Sequence, residues 1–255
     1  MDLIYKDLDM FETLKTQKLQ KDQLIKDIKA AQPKERFRGL PTINPNEKKV
    51  YETCKSICPT KALCDDYKVD LGKCTMCGEC QRYSESVGSN AVVFSNSHKI
   101  SATEREALFV NGEIQPIKPD EQIKKIFGRS LKLRQVSAGG CNSCEMELNA
   151  CSNANFDMGR FGIEFVASPR HADGIVVTGP VSKNMAKALE DTFFAVPAPR
   201  LLIVVGACAI SGGVFQDSEE IDRTFFERHK PDLYIPGCPA HPLTIINGII
   251  ELLGR

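Results

Sequence analysis

LKLRQVSAGGCNSCEMEL, residues 131–148, passes from a strand-like run through a glycine pair to two cysteines and then into a helix-like segment. Its first part, LKLRQVSA (131–138), is short and closed by glycine, as buried parallel strands are, and LLIVVG (201–206) and LYIPG (233–237) repeat the pattern. GIEFVAS (162–168) and GIVVTG (174–179) add two more runs of the same kind. Helical stretches are predicted between and after them, over 143–152, 181–194, 217–229 and 242–253. Strand and helix therefore alternate, which predicts a doubly wound α/β domain with a parallel sheet.

In such a sheet, ligands collect beyond the carboxyl ends of the strands. Cys141 and Cys144 follow the first run, Cys208 follows the fourth in VVGACAISGG, and Cys238 follows the fifth in LYIPGCPAHP. These four thiols are predicted to converge on one sheet edge as a tetrathiolate metal site, which points to electron transfer. Gly139, Gly140, Gly206, Gly212, Gly213 and Gly237 stand beside them, so backbone can approach a bulky cluster and leave amides free to bond its sulfides. Pro239 after Cys238 gives the Cys-Pro pair found at iron-sulfur ligands.

The chain has 33 basic and 33 acidic side chains, and 42% of its residues are hydrophobic. That is a globular composition with no long-range attraction to nucleic acid or to a membrane surface. MDLIYKDLDMF at the start lacks an apolar core behind basic residues, so no signal peptide is expected. The longest apolar stretch, near 201–210, is about half a membrane span, so membrane attachment is expected only through partners. An odd count of 11 cysteines without an export signal fits a reducing compartment and metal ligation better than disulfides, with oxygen sensitivity as a corollary.

The expected organisation has four parts. Residues 1–47 read as an amphipathic helix with spaced apolar residues (Leu8, Phe11, Leu14, then Leu24, Ile25 and Ile28), one able to dock on a partner, followed by the extended connector FRGLPTINPNE. Residues 48–97 hold a first cysteine group, 98–130 read as a linker with short turns, and 131–255 form the α/β domain.

CKSICPTKALC (54–64) and KCTMCGEC (73–80) resemble, over about fifty residues, the two-cluster bacterial ferredoxin pattern of two C-x2-C-x2-C-x3-C-P copies, in which each fourth cysteine ligates the other copy's cluster. Residue by residue, Cys54 and Cys58 take the third and fourth places of the first copy, with Lys48 and Tyr51 in its first two. Cys74, Cys77 and Cys80 take the first three places of the second copy, and Ser84 stands in the fourth. One cluster would need positions 48, 51, 54 and 84, of which only Cys54 is a cysteine. The other needs Cys58, Cys74, Cys77 and Cys80, all present. One 4Fe-4S cluster is therefore expected here, in a small ferredoxin-like α+β domain that has lost its second. Zinc is the alternative for four thiolates, but zinc ribbons favour two separated C-x2-C knuckles. Cys64 and Cys151 belong to neither quartet and read as packed thiols.

Residues 131–255 as a whole resemble the small, cluster-bearing subunit of NiFe hydrogenases and its relative, the 20 kDa subunit of respiratory complex I. GGCNSCEMEL, RFGIEFVASPRHADGIVVTGPVSKNM, GACAISGGVF and DLYIPGCP carry the resemblance. It implies a flavodoxin-like fold and a proximal 4Fe-4S cluster on Cys141, Cys144, Cys208 and Cys238, giving two 4Fe-4S clusters in all. The C-x2-C spacing of Cys141 and Cys144 is similar to the hydrogenase branch, whereas complex I subunits use adjacent cysteines. SPRHAD and TGPV are most similar to membrane-bound, energy-converting hydrogenases, including the formate hydrogenlyase type.

The resemblance also implies partners: a large catalytic subunit holding the NiFe centre, other ferredoxin-like subunits and antiporter-like membrane subunits. It implies a place on the cytoplasmic, inner face of the membrane. Electrons would pass between a ferredoxin-type protein and the NiFe site, and the chain would not turn over hydrogen alone. A quinone acceptor, as in complex I, and a non-catalytic iron-sulfur scaffold or redox sensor are the alternative readings. Glu145, Arg170 and His171 are candidate interface residues, although Glu145 in the first turn of a helix also suits the helix dipole. His241 reads as a surface or capping residue. The stretch between Val214 and Pro231 is shorter and more charged than the family's glycine-rich segment, so contacts made there do not carry over.

Overall fold

A computed structural model of the chain describes residues 14–16, 18–19, 23–33 and 36–255. Strands β5 (Leu131–Ser137), β6 (Ile163–Phe165), β7 (Gly174–Thr178), β8 (Leu201–Val205) and β9 (Leu233–Ile235) form one parallel sheet in the order β6-β5-β7-β8-β9. Every residue of β7, β8 and β9 is buried, because the sheet is covered on both faces. The order is that of a flavodoxin-like fold, and it reverses between β5 and β7, where a crevice opens at the strand ends. Backbone closes in at that point: a Cβ added to Gly179 would stand 2.6 Å from the Gly140 amide nitrogen.

Four helices of the α/β part bear on the site: α4 (Ser143–Ala150), α5 (Lys183–Ala195), α6 (Ala207–Ser211) and α8 (Pro242–Leu252). One face of the sheet packs with Leu148 of α4 and Leu243, Ile246 and Ile250 of α8. The other packs with Leu189 and Phe193 of α5. Helix α8 is apolar and buried nearly all round, as a helix enclosed by the core is. The edge of β9 is covered by Ala102, which exchanges backbone hydrogen bonds with Tyr234 at 3.0 and 2.8 Å and so removes an open strand edge.

Upstream, β1 (Pro41–Ile43) pairs antiparallel with β3 (Val92–Phe94), and β2 (Val69–Asp70) with β4 (Phe109–Val110). Helices α1 (Lys48–Ile57) and α2 (Glu79–Ser86) pack together over a small core of their own. Leu40, Leu71, Ile100, Leu108 and Val110 leave that core and join the α5 face of the large sheet. The join is polar as well. Asp70, 2% exposed, accepts from the Gly72 amide at 2.9 Å and pairs with Arg105 at 2.7 Å. Both carboxylate oxygens are thereby answered, the condition under which a charge can be buried.

Three sequence expectations are corrected. Leu8 and Phe11 of the expected N-terminal helix lie outside the described residues, and Leu14 falls in a helical stretch, but Leu24 and Ile25 sit in irregular chain and Ile28 in a turn. The Ile25 amide donates to Asn155 at 2.9 Å, and Ile28 is buried against the α8 face, so this segment docks on its own chain. Residues 98–130 hold β4, a 3-10 turn (Glu106–Leu108) and α3 (Glu121–Phe127), more structure than a linker. Of the expected helix over 217–229 only α7 (Thr224–Arg228) forms. The Ser218 hydroxyl accepts from the Glu220 amide and the Asp222 carboxylate from the Thr224 amide, local bonds that compete with helix formation. The segment runs instead beside residues 181–183, with the Asp222 amide donating to Val181 and the Lys183 amide to Glu220. Among the described residues no helix is long and apolar enough to cross a membrane.

Candidate metal centres

The glycine pair after β5 turns the chain so that Cys141 is exposed on the loop and Cys144 enters the first turn of α4, capped by Asn142 in the left-handed region (φ 68°). The ends of β8 and β9 are tied together: the Gly206 amide donates to Ile235 at 2.8 Å and the Ala207 amide to Gly237 at 2.9 Å. That tie sets Cys208, on α6, beside Cys238, on the loop before α8. Three of the four thiols feel the charge of others in the set: Cys144 that of Cys208 and Cys238, Cys208 and Cys238 that of Cys141. The structure thus brings the sequence-predicted quartet to one edge of one sheet.

Space around the sulfurs bears on what they can hold. A Cβ on Gly206 would stand 2.5 Å from the Cys144 sulfur, and one on Gly213 would stand 2.9 Å from the Cys208 sulfur. Gly206 also has φ 92° and ψ 154°, a region essentially reserved for glycine. The cradle fits a bulky inorganic group on these sulfurs, where larger residues would crowd it. Gly206→Ala is expected to cost about 2–4 kcal/mol from strain and overpacking together, and to lower the iron held per chain. Denaturant melts and iron analysis check this; native values of both would contradict the cradle.

Burial pushes the Cys144 thiol up to about 12 and the Cys208 thiol up to about 11, with neighbouring negative charges adding to each. Burial also raises Cys238, followed by Cys141 and Cys77. Cys141 moves the other way, lowered by the Ser143 hydroxyl 3.4 Å from its sulfur. Ligation needs thiolates, so loading this site releases protons and is favoured as pH rises toward these values.

The upstream group forms around a pocket lined by Cys58, Cys74, Cys77 and Cys80 together with Pro59, Leu63, Val69 and Phe94. Cys58 ends α1, and its sulfur accepts from the Ala62 amide at 3.3 Å. Cys74 is fixed by its amide bond to Asp70 at 2.9 Å, while Cys80 lies in the first turn of α2 behind Gly78 (φ 75°). Burial pushes Cys74 and Cys80 up to about 12, and each also feels Cys58 and Cys77.

The four positions of the second ferredoxin site are filled differently. Lys48 is exposed. Tyr51 is fully buried, its hydroxyl donating to the Cys64 carbonyl at 2.6 Å and its ring 5.1 Å from that of Tyr67. Cys54 is fully buried with its sulfur 3.5 Å from the Ser84 hydroxyl, which itself donates to the Cys80 carbonyl at 2.9 Å. Tyr51 and Cys54 are therefore packed core residues of this part of the chain. Cys64, half-buried, lends its carbonyl to Tyr51, and Cys151 is fully buried in the α8 core, so both are packed thiols.

The two groups meet. Cys238 feels the charge of Cys77, and Met76, Arg38 and Cys238 line one pocket between the groups. The Arg38 guanidinium donates to the Met76 carbonyl at 2.5 Å, and the Met76 sulfur lies 3.9 Å from that of Cys74. Sequence reading singles out neither Met76 nor Arg38; the sole signal is that Met76 stands inside CTMC. Among the described residues no three His, Cys, Asp or Glu side chains close on a single metal ion's position.

The remaining candidates separate. Glu145 is buried, and its carboxylate accepts from the hydroxyls of Ser137 at 2.5 Å and Thr178 at 2.7 Å, an anchor between α4, β5 and β7. Arg170 and His171 are exposed on the turn from β6 to β7, whose flanks pair with Lys132 and Leu133 rather than with the cysteine end of β5 at Ser137. His241 caps α8, its Nδ1 accepting from the Leu243 amide at 3.1 Å.

The family profile described as NADH ubiquinone oxidoreductase, 20 Kd subunit, matches residues 141–252. The chain is 36% identical over 134 residues to the "Probable membrane-bound hydrogenase subunit mbhJ" of Pyrococcus furiosus, covering 52% of this chain and 80% of that protein. It is 39% identical over 151 residues to "Formate hydrogenlyase subunit 7" of Escherichia coli, covering 56% of this chain and 59% of that one. It is also 41% identical over 113 residues to an NADH-quinone oxidoreductase subunit of Geotalea daltonii, covering 44% and 66%. Each match spans about half of this chain.

Proposed function

Since this chain belongs to the family of the NADH ubiquinone oxidoreductase 20 kDa subunit, we propose that it is the electron-transfer subunit of a membrane-associated NiFe hydrogenase complex. It relays electrons between a ferredoxin-type donor or acceptor and the NiFe site of a large partner subunit. In this reading Cys58, Cys74, Cys77 and Cys80 hold one 4Fe-4S cluster, and Cys141, Cys144, Cys208 and Cys238 hold the other. Bound clusters supply reversible one-electron redox chemistry that no side chain of the protein offers.

The observation that carries the proposal is the pocket shared by Met76, inside CTMC, and Cys238, which brings the two cysteine groups to one place within one chain. The protein's part is to fix that approach: β2 and α2 hold Cys74, Cys77 and Cys80, the ends of β5, β8 and β9 hold the other four, and the Asp70–Arg105 pair anchors the join. Cys141 and Cys238 are exposed, and the exposed apolar residues Met146, Val214 and Phe215 flank the ligands in sequence, a surface suited to a large apolar partner. Other ferredoxin-like subunits and antiporter-like membrane subunits complete the complex, and through them the chain sits peripherally on the cytoplasmic face of the membrane.

A quinone acceptor is the second reading, favoured by the 41% identity to a quinone oxidoreductase subunit. The C-x2-C spacing of Cys141 and Cys144 favours the first. Anaerobic purification of the tagged chain from its native cell decides: co-elution with membrane subunits and with a large subunit that has two C-x2-C pairs near its ends is expected. A large subunit without those pairs favours the quinone, and a chain isolated alone contradicts both.

A further inference from the structure

Arg223 lies in the charged stretch between Val214 and Pro231. Its guanidinium is turned inward onto backbone. Nη1 donates to the carbonyls of Cys208 at 3.3 Å and Pro180 at 3.4 Å, and Nη2 donates to those of Ala209 and Ile210, both at 2.9 Å. Its flat face lies over the Phe226 ring at 4.9 Å. Three of the four acceptors belong to α6, the five-residue helix that carries Cys208 and whose last carbonyls have no partner within the helix.

All four acceptors are neutral. Arg105, whose charge Arg223 feels, is itself paired with Asp70. Burial and the like charge of Arg105 push Arg223 down to about 10, and the Cys208 thiolate opposes that shift, so the group stays charged at neutral pH. Burying a cation among neutral carbonyls is costly unless an anion lies within reach. The sulfur of Cys208, on the same short helix, is the position where one would form.

We infer that Arg223 is a positioning residue for the iron-sulfur site of Cys141, Cys144, Cys208 and Cys238: it clamps the Cys208 turn and holds a fixed positive charge behind it that raises the site's reduction potential. The inference rests on the reading that these cysteines hold a cluster. Adding an electron makes such a cluster more negative, and a nearby, partly buried cation stabilises the reduced form more than the oxidised one. The planar fork matters separately from the charge, because lysine offers a compact ammonium on a flexible stem in place of a rigid fork that spans these carbonyls.

The full chain, loaded anaerobically with iron and sulfide, is titrated with mediators while EPR follows each cluster. In Arg223→Gln the midpoint of the signal that Cys208→Ser abolishes is expected to shift lower, while the ferredoxin-like signal stays fixed as an internal reference. Unmoved midpoints, or an equal shift of both signals, would overturn the inference. Arg223→Lys keeps the charge and serves if the glutamine variant does not fold. Its midpoint is expected near the native value, with faster loss of iron from that site to a chelator; native iron retention would overturn the clamp, and a clearly lowered midpoint would overturn the role of charge. Native protein lacking the second signal would contradict the cluster assignment instead, so the two failures are distinguishable.

Discussion

Cys208→Ser is expected to remove one of two EPR-active 4Fe-4S signals and to lower bound iron from about eight atoms per chain to about four, leaving the other signal unchanged. Cys58→Ser is expected to do the reverse. The separation follows from the geometry. Cys208 sits at the end of β8 and senses Cys141 and Cys238, whereas the thiols around Cys58 are held by α1, β2 and α2. Cys208 also lies outside all three apolar cores, so serine there takes little from the fold. A serine oxygen is a poor substitute for a thiolate toward iron, and the other three sulfurs cannot close the site around it. Loss of both signals in either variant would mean that the two groups do not hold separate clusters.

Tyr51→Ala is expected to cost about 3–5 kcal/mol, the range for emptying a large aromatic site in a core. Tyr51 is fully buried in the small upstream core. Its hydroxyl also answers the Cys64 carbonyl, so Tyr51→Phe should still cost about 1–2 kcal/mol through that orphaned acceptor. Because Tyr51 and Cys58 share α1 and its end, the alanine variant should also hold less iron in the ferredoxin-like group while the other group keeps its own. Denaturant midpoints at unchanged slope measure the stability term. A cost below about 1 kcal/mol would mean that the site is open rather than packed.

The sheet was legible because each strand is a short run ending in glycine or proline, and the strand ends are where the downstream cysteines stand. That Lys48, Tyr51 and Ser84 fall in a single expected ligand set is legible in the spacing. How they pack is not: the sequence marks Tyr51 only as an expected missing ligand, and the structure shows it as a core residue. Leu24, Ile25 and Ile28 have helical spacing, yet a backbone hydrogen bond from Ile25 to Asn155 ties the chain there in irregular form, a long-range contact that periodicity does not encode. The run 217–229 looks helical in its charge pattern, but Ser218 and Asp222 bond their own neighbours. In 98–130 the apolar residues Ile100, Ala102, Leu108 and Val110 pack singly into the α5 face and leave no period to read. Arg223 was invisible for a related reason: its partners are backbone carbonyls, and carbonyls have no sequence identity.

Local chemistry was legible where spacing is fixed by the ligand, as in CTMCGEC and CNSC, and illegible where two modules meet. Nothing in FRGLP marks Arg38 as the residue that holds Met76 between Cys74 and Cys238. In the proposed relay, that junction is what joins the two sites. It is reached most directly by EPR of the fully reduced, iron-loaded chain. Two 4Fe-4S signals broadened by mutual magnetic interaction, each narrowing to an isolated form in the Cys58→Ser or Cys208→Ser variant, are predicted. Two signals identical in the native chain and in the single-site variants, or one signal alone, would contradict the account.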